Sequence, residues 1–177
     1  SEEHLESHGG FANYREAKGE LFKIAPLVFL NGEDPNLEYF QKISTKEKII
    51  YIASDYPSDL KLNLTGEFNK MNAVASLAFA KREGVLPSVA KEALSKIPGI
   101  PGRMEYVSPP VGAKKDFRVL VDYAFLPQTL MKVYAQAKSE SSGLVCVLGA
   151  AGGGRDKWKR PLLGDIASEF CRKVFIT

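Results

Sequence analysis

A glycine-rich basic stretch, GAAGGGRDKWKRPLLG at residues 149–164, constrains this chain more than any other feature. An apolar run at residues 144–148 leads into it, and a helical pattern follows from Pro161. A strand, a glycine-rich turn and a helix in this order are typical of α/β domains that bind anions at the carboxyl ends of their strands. Glycine lets the backbone approach a ligand, and arginine can grip a carboxylate through two hydrogen bonds. The alternative is a solvated surface loop, because such motifs also occur without a ligand.

Apolar segments alternate with helical patterns along the chain. Strands are predicted at residues 26–30, 48–53, 60–64, 117–121, 144–148 and 174–176. Helices are predicted at residues 11–23, after the turn at 31–35, from about 70 to a glycine cap at 84, at 88–96 with Ser88 as its cap, from 127 and from 161. In the second half, strands that alternate with helices predict a parallel, doubly wound sheet with right-handed crossovers.

A domain boundary is predicted at IPGIPG, residues 97–102, because prolines and glycines there break any regular element. We therefore expect an α/β chain of two parts, with a doubly wound parallel sheet in the second. Ligands bind such sheets beyond the carboxyl ends of the strands. Asp122 and Arg155 both follow predicted strands, so we expect them to face one shared pocket.

Composition argues against two classes of protein. The net charge of +3 is small for a dedicated nucleic-acid binder, and no apolar run is long enough to span a membrane or to act as a secretory signal. Hydrophobic residues at 45% and charged residues at 25% are ordinary for a globular protein. Cys146 and Cys171 lie in apolar segments, and we expect buried free thiols rather than a disulfide or a zinc site.

The beginning of the chain carries a candidate metal site. The segment EHLESH places His4 and His8 four residues apart, so that on a helix they share a face, although an exposed acidic terminus would look the same. Lys18 lies beside the apolar stripe of the first predicted helix, where a lysine usually extends its amine to water.

Because the chain starts without methionine and ends on a predicted strand, we expect a fragment of a longer protein.

Five segments in order carry a resemblance to a known family: EHLESHGGFANYREAK, TGEFNKMNAVASLA, PGRMEYV, VDYAFLPQTL and GGGRDKWKRPLLG. Together they resemble the Mur ligases and, more narrowly, the UDP-N-acetylmuramoyl-tripeptide synthetase branch of peptidoglycan synthesis. The resemblance implies that residues 1–101 are the later part of a central ATP-binding domain. Residues 102–177 would be most of a Rossmann-like domain that binds the incoming amino acid. The family's phosphate-binding loop, G-x-x-x-x-G-K-[ST], does not occur in the 177 residues.

The resemblance implies a cytoplasmic ligase that uses ATP and Mg²⁺. Its partners would be a UDP-linked muramoyl peptide and an amino acid, with no nucleic acid or membrane involved. ATP would phosphorylate a carboxylate of the peptide, and the amine of the amino acid would attack the acyl phosphate to form an amide. Without the phosphate-binding loop, these residues alone are expected to be inactive. The added amino acid stays open between diaminopimelate, lysine and other amines.

Catalytic residues also follow from the resemblance. His4 matches a histidine that binds Mg²⁺, whereas His8 is expected to be a packing or surface residue. Lys18 matches a lysine that takes up carbon dioxide, and the resulting carbamate offers oxygen ligands that suit Mg²⁺. Arg103 matches an arginine at the domain junction that reaches the ATP phosphates.

The remaining matches concern the nucleotide and the amino acid. Asn69 matches an asparagine that contacts adenine, and Asp122 an aspartate that holds the ribose hydroxyls. Arg155 matches the arginine that grips the carboxylate of the incoming amino acid.

Two positions depart from the family pattern. Phe125 stands where a histidine is usual, and a phenyl ring at this nucleotide-binding position can stack but cannot hydrogen-bond or titrate. Gly154 stands where many members have an acidic residue.

Two alternative functions stay open: a folylpolyglutamate-type ligase, and a module that binds a nucleotide or an amino acid without catalysis.

Overall fold

The computed structural model describes residues 8–44, 46–108, 117–150 and 157–177. They divide into two compact units, one of residues up to 98 and one from residue 99 onward, and each is described by itself. The assignment of residues 1–101 and 102–177 to two functional domains stays a prediction. Within the described ranges, no helix has the length and apolar character needed to cross a membrane.

In the first unit, helices pack against one pair of parallel strands. The elements are α1 (Phe11–Ile24), β1 (Leu27–Asn31), α2 (Leu37–Ile43), β2 (Glu47–Tyr51), a 3₁₀ turn (Ala53–Asp55), α3 (Glu67–Arg82) and α4 (Pro87–Ser95). β1 and β2 run parallel, with Leu27 opposite Glu47 and Asn31 opposite Tyr51. The core includes Val28 and Leu30 of β1 and Val74 of α3. The predicted strands at 26–30 and 48–53 and the predicted helix at 11–23 are confirmed to within about two residues.

The predicted strand at residues 60–64 is wrong. The chain turns there instead: the N–H of Leu60 donates to the carbonyl of Pro57 at 3.1 Å, and the carbonyl of Leu60 accepts the hydroxyl of Tyr56 at 2.8 Å. Leu60 is 5% exposed, and Leu62 and Leu64 are half-buried, so apolar residues alternate here with exposed ones although the segment is not a strand. Asn63 donates to two carbonyls near the end of α4, those of Ser95 at 2.8 Å and Ile97 at 3.2 Å.

Of two helix ends predicted in the first unit, the glycine after α3 is confirmed and the serine cap of α4 is wrong. Gly84 has a φ of 76° just past the end of α3, as a glycine after a helix often does. Ser88 is not the cap of α4, because Pro87 already occupies the first helical position and Leu86 precedes it as the N-cap residue. Proline suits that position, since its missing N–H would have no partner there.

In the second unit, one helix packs against a short parallel sheet and a second helix packs on the first. The elements are β3 (Glu105–Val107), β4 (Val119–Val121), α5 (Pro127–Ser139), β5 (Val145–Leu148), α6 (Lys159–Phe170) and β6 (Lys173–Ile176). β5 and β6 are parallel, with Cys146 opposite Val174. α5 packs on α6, which contacts both strands. Pro127 opens α5 as predicted, whereas α6 begins at Lys159, two residues before the predicted Pro161.

The α/β class is confirmed, but the strand pairing differs from the prediction. Residues 119–121 pair antiparallel with β3, a strand that the sequence did not predict, and in the described residues they do not join β5. β3 has only three residues, all exposed, so its sequence lacks the apolar alternation that marks a strand. The parallel sheet of the second unit is therefore short in the described part of the chain.

The cysteines were also predicted wrongly. Cys146 of β5 and Cys171, at the end of α6, form a disulfide with their Cα atoms 6.1 Å apart. Both side chains are buried, as expected, but they are not free thiols. The turn from α6 into β6 brings Cys171 beside β5, a proximity that depends on the pairing of β5 with β6.

Candidate functional site

The end of β4 and the turn before β3 are tied together by two hydrogen bonds, and a third closes the turn itself. Asp122 follows β4 directly, and its Oδ2 accepts the N–H of Met104 at 2.8 Å. The N–H of Tyr123 donates to the carbonyl of Gly102 at 2.8 Å, and the N–H of Gly102 donates to Glu105 Oε2 at 2.7 Å. Two residues predicted to act on ATP, Arg103 and Asp122, are thereby held in one place although they are 19 positions apart in the sequence.

A row of cations and aromatic rings extends from this turn. The guanidinium carbon of Arg103 lies 5.2 Å from the ring centre of Tyr123, and the ring of Tyr123 meets that of Phe125 edge-on at 5.5 Å. The amine of Lys159, at the start of α6, lies 4.7 Å from the ring centre of Phe125. We call Arg103, Tyr123, Phe125 and Lys159 the cation–aromatic row. Cations at these distances are attracted to the electron-rich faces of the rings.

The cation–aromatic row combines fixed positive charge with flat apolar surface. Lys159 is only 8% exposed, so its ammonium is held rather than mobile, while Arg103 is exposed. Asp122 is half-buried, and its second oxygen, Oδ1, has no hydrogen-bond partner in the described residues. Positive charges, aromatic faces and an available carboxylate oxygen suit a ligand that has phosphates, a planar base and sugar hydroxyls.

Two predicted site residues lie in the first unit. Lys18 is exposed on α1, and its amine lies 5.0 Å from the ring centre of Tyr14. Asn69 is 7% exposed in the first turn of α3. Its Nδ2 donates to the carbonyl of Thr65 at 2.7 Å, and its Oδ1 accepts from Asn72 at 3.1 Å. The side-chain amide of Asn69 therefore secures the turn that leads into α3, and its contact with adenine stays a prediction.

His4 and Arg155 lie outside the described residues, as does Gly154. The expectation that Arg155 shares a pocket with Asp122 therefore stays a prediction. The ring of His8 packs 5.3 Å from that of Tyr14. Throughout the described residues, no group of three or more His, Cys, Asp or Glu side chains could hold a metal ion. An unmodified Lys18 is a cation, so these residues by themselves do not fit Mg²⁺, which takes oxygen ligands.

A polar clamp that the sequence did not reveal lies next to β3 and β4. Glu140, just after α5, accepts the hydroxyl of Tyr106 through Oε2 and the amide of Gln136 through Oε1 at 2.7 Å. Arg118 donates to the carbonyl of Glu140 at 2.6 Å and stacks on Tyr106 with 4.8 Å between the guanidinium carbon and the ring centre. We call Tyr106, Arg118, Gln136 and Glu140 the Glu140 clamp. It fastens the strand pair that carries Arg103 and Asp122 to the end of α5.

The Glu140 clamp shifts two pKa values in opposite directions. Hydrogen bonds from Tyr106 and Gln136 hold the pKa of Glu140 below its ordinary value, and the charge of Arg118 adds to this. Burial raises the pKa of Tyr106, and the bond to Glu140 raises it further. Near neutral pH the clamp therefore consists of a carboxylate, a protonated phenol and a guanidinium. These charge-assisted hydrogen bonds join residues that are 34 and 22 positions apart, which no local sequence pattern indicates.

Comparisons with known proteins cover the whole chain but only part of its relatives. No family model matches the chain. The UDP-N-acetylmuramyl-tripeptide synthetase of Roseiflexus sp. (strain RS-1) is 32% identical in an alignment 216 residues long. The alignment covers 100% of this chain and 42% of that protein. The solved structure of a UDP-N-acetylmuramoyl-L-alanyl-D-glutamate–2,6-diaminopimelate ligase has a TM-score of 0.59 and 25% identity, and the match covers 96% of this chain and 40% of that one.

A third comparison concerns the fold alone. The structure of an FPGS–AMPPCP–folate complex has a TM-score of 0.72 at 15% identity, and the match covers 94% of this chain and 46% of that one. The chain thus spans about two-fifths of the length of the curated relative and under half of each of these structures.

Proposed function

From the premise that this chain belongs to the Mur ligase family, we propose that it contributes to an ATP-dependent ligase of peptidoglycan synthesis. The enzyme joins an amino acid to a UDP-N-acetylmuramoyl peptide through a new amide bond. Asp122 carries this proposal, because its Oδ1 has no hydrogen-bond partner in the described residues and, with the adjoining cation–aromatic row, it offers groups that suit a nucleotide at the end of β4. Because the chain spans about two-fifths of its curated relative, the activity belongs to a larger protein.

The proposed reaction has two steps. First, the γ-phosphoryl group of ATP passes to a carboxylate oxygen of the muramoyl peptide, which leaves ADP and an acyl phosphate. The amine of the amino acid then attacks the acyl carbon, loses a proton and expels inorganic phosphate. Negative charge develops on the oxygens of the transferring group, so positioned cations lower the barrier.

Each residue has a proposed role in that sequence. Arg103 neutralises charge on the phosphates, and Lys159 adds a second cation from the start of α6. Asp122 holds the ribose hydroxyls, while the ring of Phe125 gives the nucleotide an apolar surface. In the family the chemistry also uses Mg²⁺, which neutralises phosphate charge, but no step proposed here depends on it.

The remaining assignments follow from family membership. We assign residues 1–101 to the later part of the ATP-binding domain, and residues 102–177 to a Rossmann-like domain for the amino acid. Arg155 would grip the carboxylate of that amino acid, Asn69 would contact adenine, and His4 with a carbamylated Lys18 would bind Mg²⁺. We expect the enzyme to act in the cytoplasm.

A second candidate function is a ligase of the folylpolyglutamate type, favoured by the shared fold with the FPGS–AMPPCP–folate complex. The identity of 15% makes that likeness weaker evidence than the 32% identity to the tripeptide synthetase along the whole chain. The test is to incubate an enzyme of the full length of its relatives with a UDP-N-acetylmuramoyl peptide and, separately, with a folate. Only the acceptor that the enzyme uses gains an amino acid, and this distinguishes the two functions.

The direct test of the nucleotide site is the substitution Asp122→Asn. The asparagine side chain still offers an oxygen to the N–H of Met104, but its amide nitrogen cannot accept a hydrogen bond from a ribose hydroxyl. We expect the affinity for ATP, measured by isothermal titration calorimetry, to fall about tenfold, since a hydrogen bond to a charged group contributes about 1.5 kcal/mol or more.

The matched control is Asp165→Asn, which changes an exposed carboxylate of α6 in the same unit. It should leave ATP affinity unchanged. If Asp122→Asn binds ATP as tightly as the unaltered chain does, Asp122 does not contact the ribose.

A further inference from the structure

Four buried residues at a spacing of four follow one ridge of α6. Lys159, Leu163 and Ala167 are the buried residues of the helix, and Cys171, directly after it, is buried as well. Side chains four residues apart form a continuous ridge on a helix surface. One end of this ridge is therefore the disulfide between Cys171 and Cys146, and the other end is the ammonium of Lys159 in the cation–aromatic row.

The disulfide makes up a large part of what β5 presents to α6. Cys146 is buried and Leu148 is half-buried, whereas Val145 and Val147 are exposed. Because successive residues of a strand point to opposite faces of the sheet, Cys146 and Leu148 lie on the face that α6 contacts. β5 thus directs two side chains toward the helix, and one of them is half of the disulfide.

The rest of the second unit does not depend on this bond. The pairing of β5 with β6 and the packing of α5 on α6 involve no sulfur atom, so both persist when the disulfide is cut. α6 itself is a rod of 12 residues, about 18 Å long at 1.5 Å per residue. A helix moves as one body over such a length, so release of its end at Cys171 also changes how firmly Lys159 is held at its start.

The redox chemistry of the pair needs a reductant from outside the chain. Cys146 and Cys171 are its only two cysteines, and disulfides in the cytosol are usually transient and serve catalysis or redox sensing. A dithiol supplies the reductant: one thiolate attacks a sulfur of the disulfide, and the second thiol resolves the mixed disulfide. Two electrons and two protons pass to the two cysteines, and the dithiol becomes a disulfide.

We propose that the Cys146–Cys171 pair is a redox switch that sets the position of Lys159 through α6. In the disulfide form, α6 is bonded to β5 and Lys159 lies against the ring of Phe125. In the dithiol form, the end of α6 is released, and the first turn of the helix opens more often. This inference rests on the proposed function for the cytoplasmic location and for the ligand that Lys159 meets. Its test uses no nucleotide, so the switch and the nucleotide site can fail separately.

The chain carries two reporters beside Lys159. Trp158, the single tryptophan, directly precedes α6 and is half-buried, and the helical N–H of Leu163 bonds to the carbonyl of Lys159. We expect dithiothreitol, a dithiol, to speed hydrogen exchange of the Leu163 amide at least about tenfold, since the start of the helix opens locally more often. Acrylamide should then quench the fluorescence of Trp158 more strongly, and reoxidation with oxidised glutathione should reverse both changes.

Two controls make the test specific for the bond. The amide of Phe22, in α1 of the first unit, should exchange at the same rate before and after reduction. The Cys146→Ser, Cys171→Ser double variant should match the reduced chain in both readouts, with or without dithiothreitol. Far-ultraviolet circular dichroism of the reduced chain should keep its helical signal, because the helices stay folded.

Each of four outcomes contradicts the proposal. The first is two free thiols in the chain purified without reductant, counted by alkylation. The second is a bond that dithiothreitol reduces only after the chain is unfolded in urea. The third is a reduced chain whose Leu163 exchange and Trp158 quenching equal those of the oxidised chain. The fourth is loss of the helical signal on reduction, which would make the bond a requirement of the fold rather than a switch.

Discussion

Glu140 holds the strand pair of the second unit through its side chain and its backbone at once. Its carboxylate accepts hydrogen bonds from Tyr106 and Gln136, and its carbonyl accepts one from Arg118. The ion pair with Arg118, at 3.3 Å, is partly exposed and by itself contributes little. The phenol and amide bonds make the larger contribution, because they satisfy a carboxylate that is only 24% exposed.

Replacing Glu140 by glutamine tests the Glu140 clamp. The folded-state pKa of Glu140 is lowered, so its contribution is fully present above the unfolded pKa of about 4.3 and is lost as the pH falls through the folded value. We expect Glu140→Gln to lower the free energy of unfolding by about 1–2 kcal/mol at pH 7. The difference from the unaltered chain should shrink as the pH falls below about 4.3.

Urea unfolding followed by circular dichroism at several pH values measures this difference. Glu169→Gln, a change at an exposed residue of α6, is the matched control and should leave stability nearly unchanged. A difference between Glu140→Gln and the unaltered chain that does not depend on pH would show that the carboxylate charge plays no part in the clamp.

Single site residues differ in how well the sequence reveals them. The family motifs point to Asp122 and Arg103, and the structure brings both to the turn before β3. Lys159 lies in the basic stretch that the sequence linked to anion binding, but it received no individual role, although its place at the start of a helix after a glycine-rich loop was a usable signal. The amide of Asn69 is engaged with Thr65 and Asn72, which the resemblance could not indicate because it carries no information on internal hydrogen bonds.

At the scale of elements, helices were predicted better than strand partners. α1 and α5 carry an apolar period of 3.6 residues, and Pro127 marks the first position of α5. The strand at 119–121 was predicted with the wrong partner, because an apolar run indicates burial but not which neighbouring strand it pairs with.

The disulfide is the feature of the second unit whose removal is simplest to test. It links β5 to the end of α6 across a separation of 25 residues, and by loop entropy such a link contributes about 3 kcal/mol. We expect the Cys146→Ser, Cys171→Ser double variant, or the chain in dithiothreitol, to unfold at a clearly lower urea concentration. Mass spectrometry after alkylation counts the free thiols in each sample.

The double variant also serves as the control for the reductant, because dithiothreitol should leave its unfolding midpoint unchanged. If dithiothreitol leaves the unaltered chain equally stable while both thiols become alkylated, the disulfide does not contribute to the stability of the fold.

At the scale of the whole molecule, the 177 residues lack the phosphate-binding loop that the Mur ligase family uses. A backbone cradle and lysine of the G-x-x-x-x-G-K-[ST] type position the phosphates of ATP for transfer, and no such motif occurs in this sequence. Among the described residues, the cation–aromatic row that we propose for the nucleotide offers no such cradle.

We therefore expect no ATP hydrolysis by this chain alone and only weak ATP affinity. The measurement is phosphate release in the presence of Mg²⁺, with apyrase as the positive control for the assay. Appreciable Mg²⁺-dependent hydrolysis that follows the chain through successive purification steps would contradict the prediction.

The sequence by itself determined the family, the α/β class, and the positions of most helices and strands, because these depend on local periodicity, proline and glycine signals, and ordered motifs. Only the tertiary structure decided the antiparallel partner of residues 119–121, the Cys146–Cys171 bond and the Glu140 clamp. Each of these joins residues far apart in the chain. Their energies depend on distances that exist only after folding, and no window of neighbouring residues contains them.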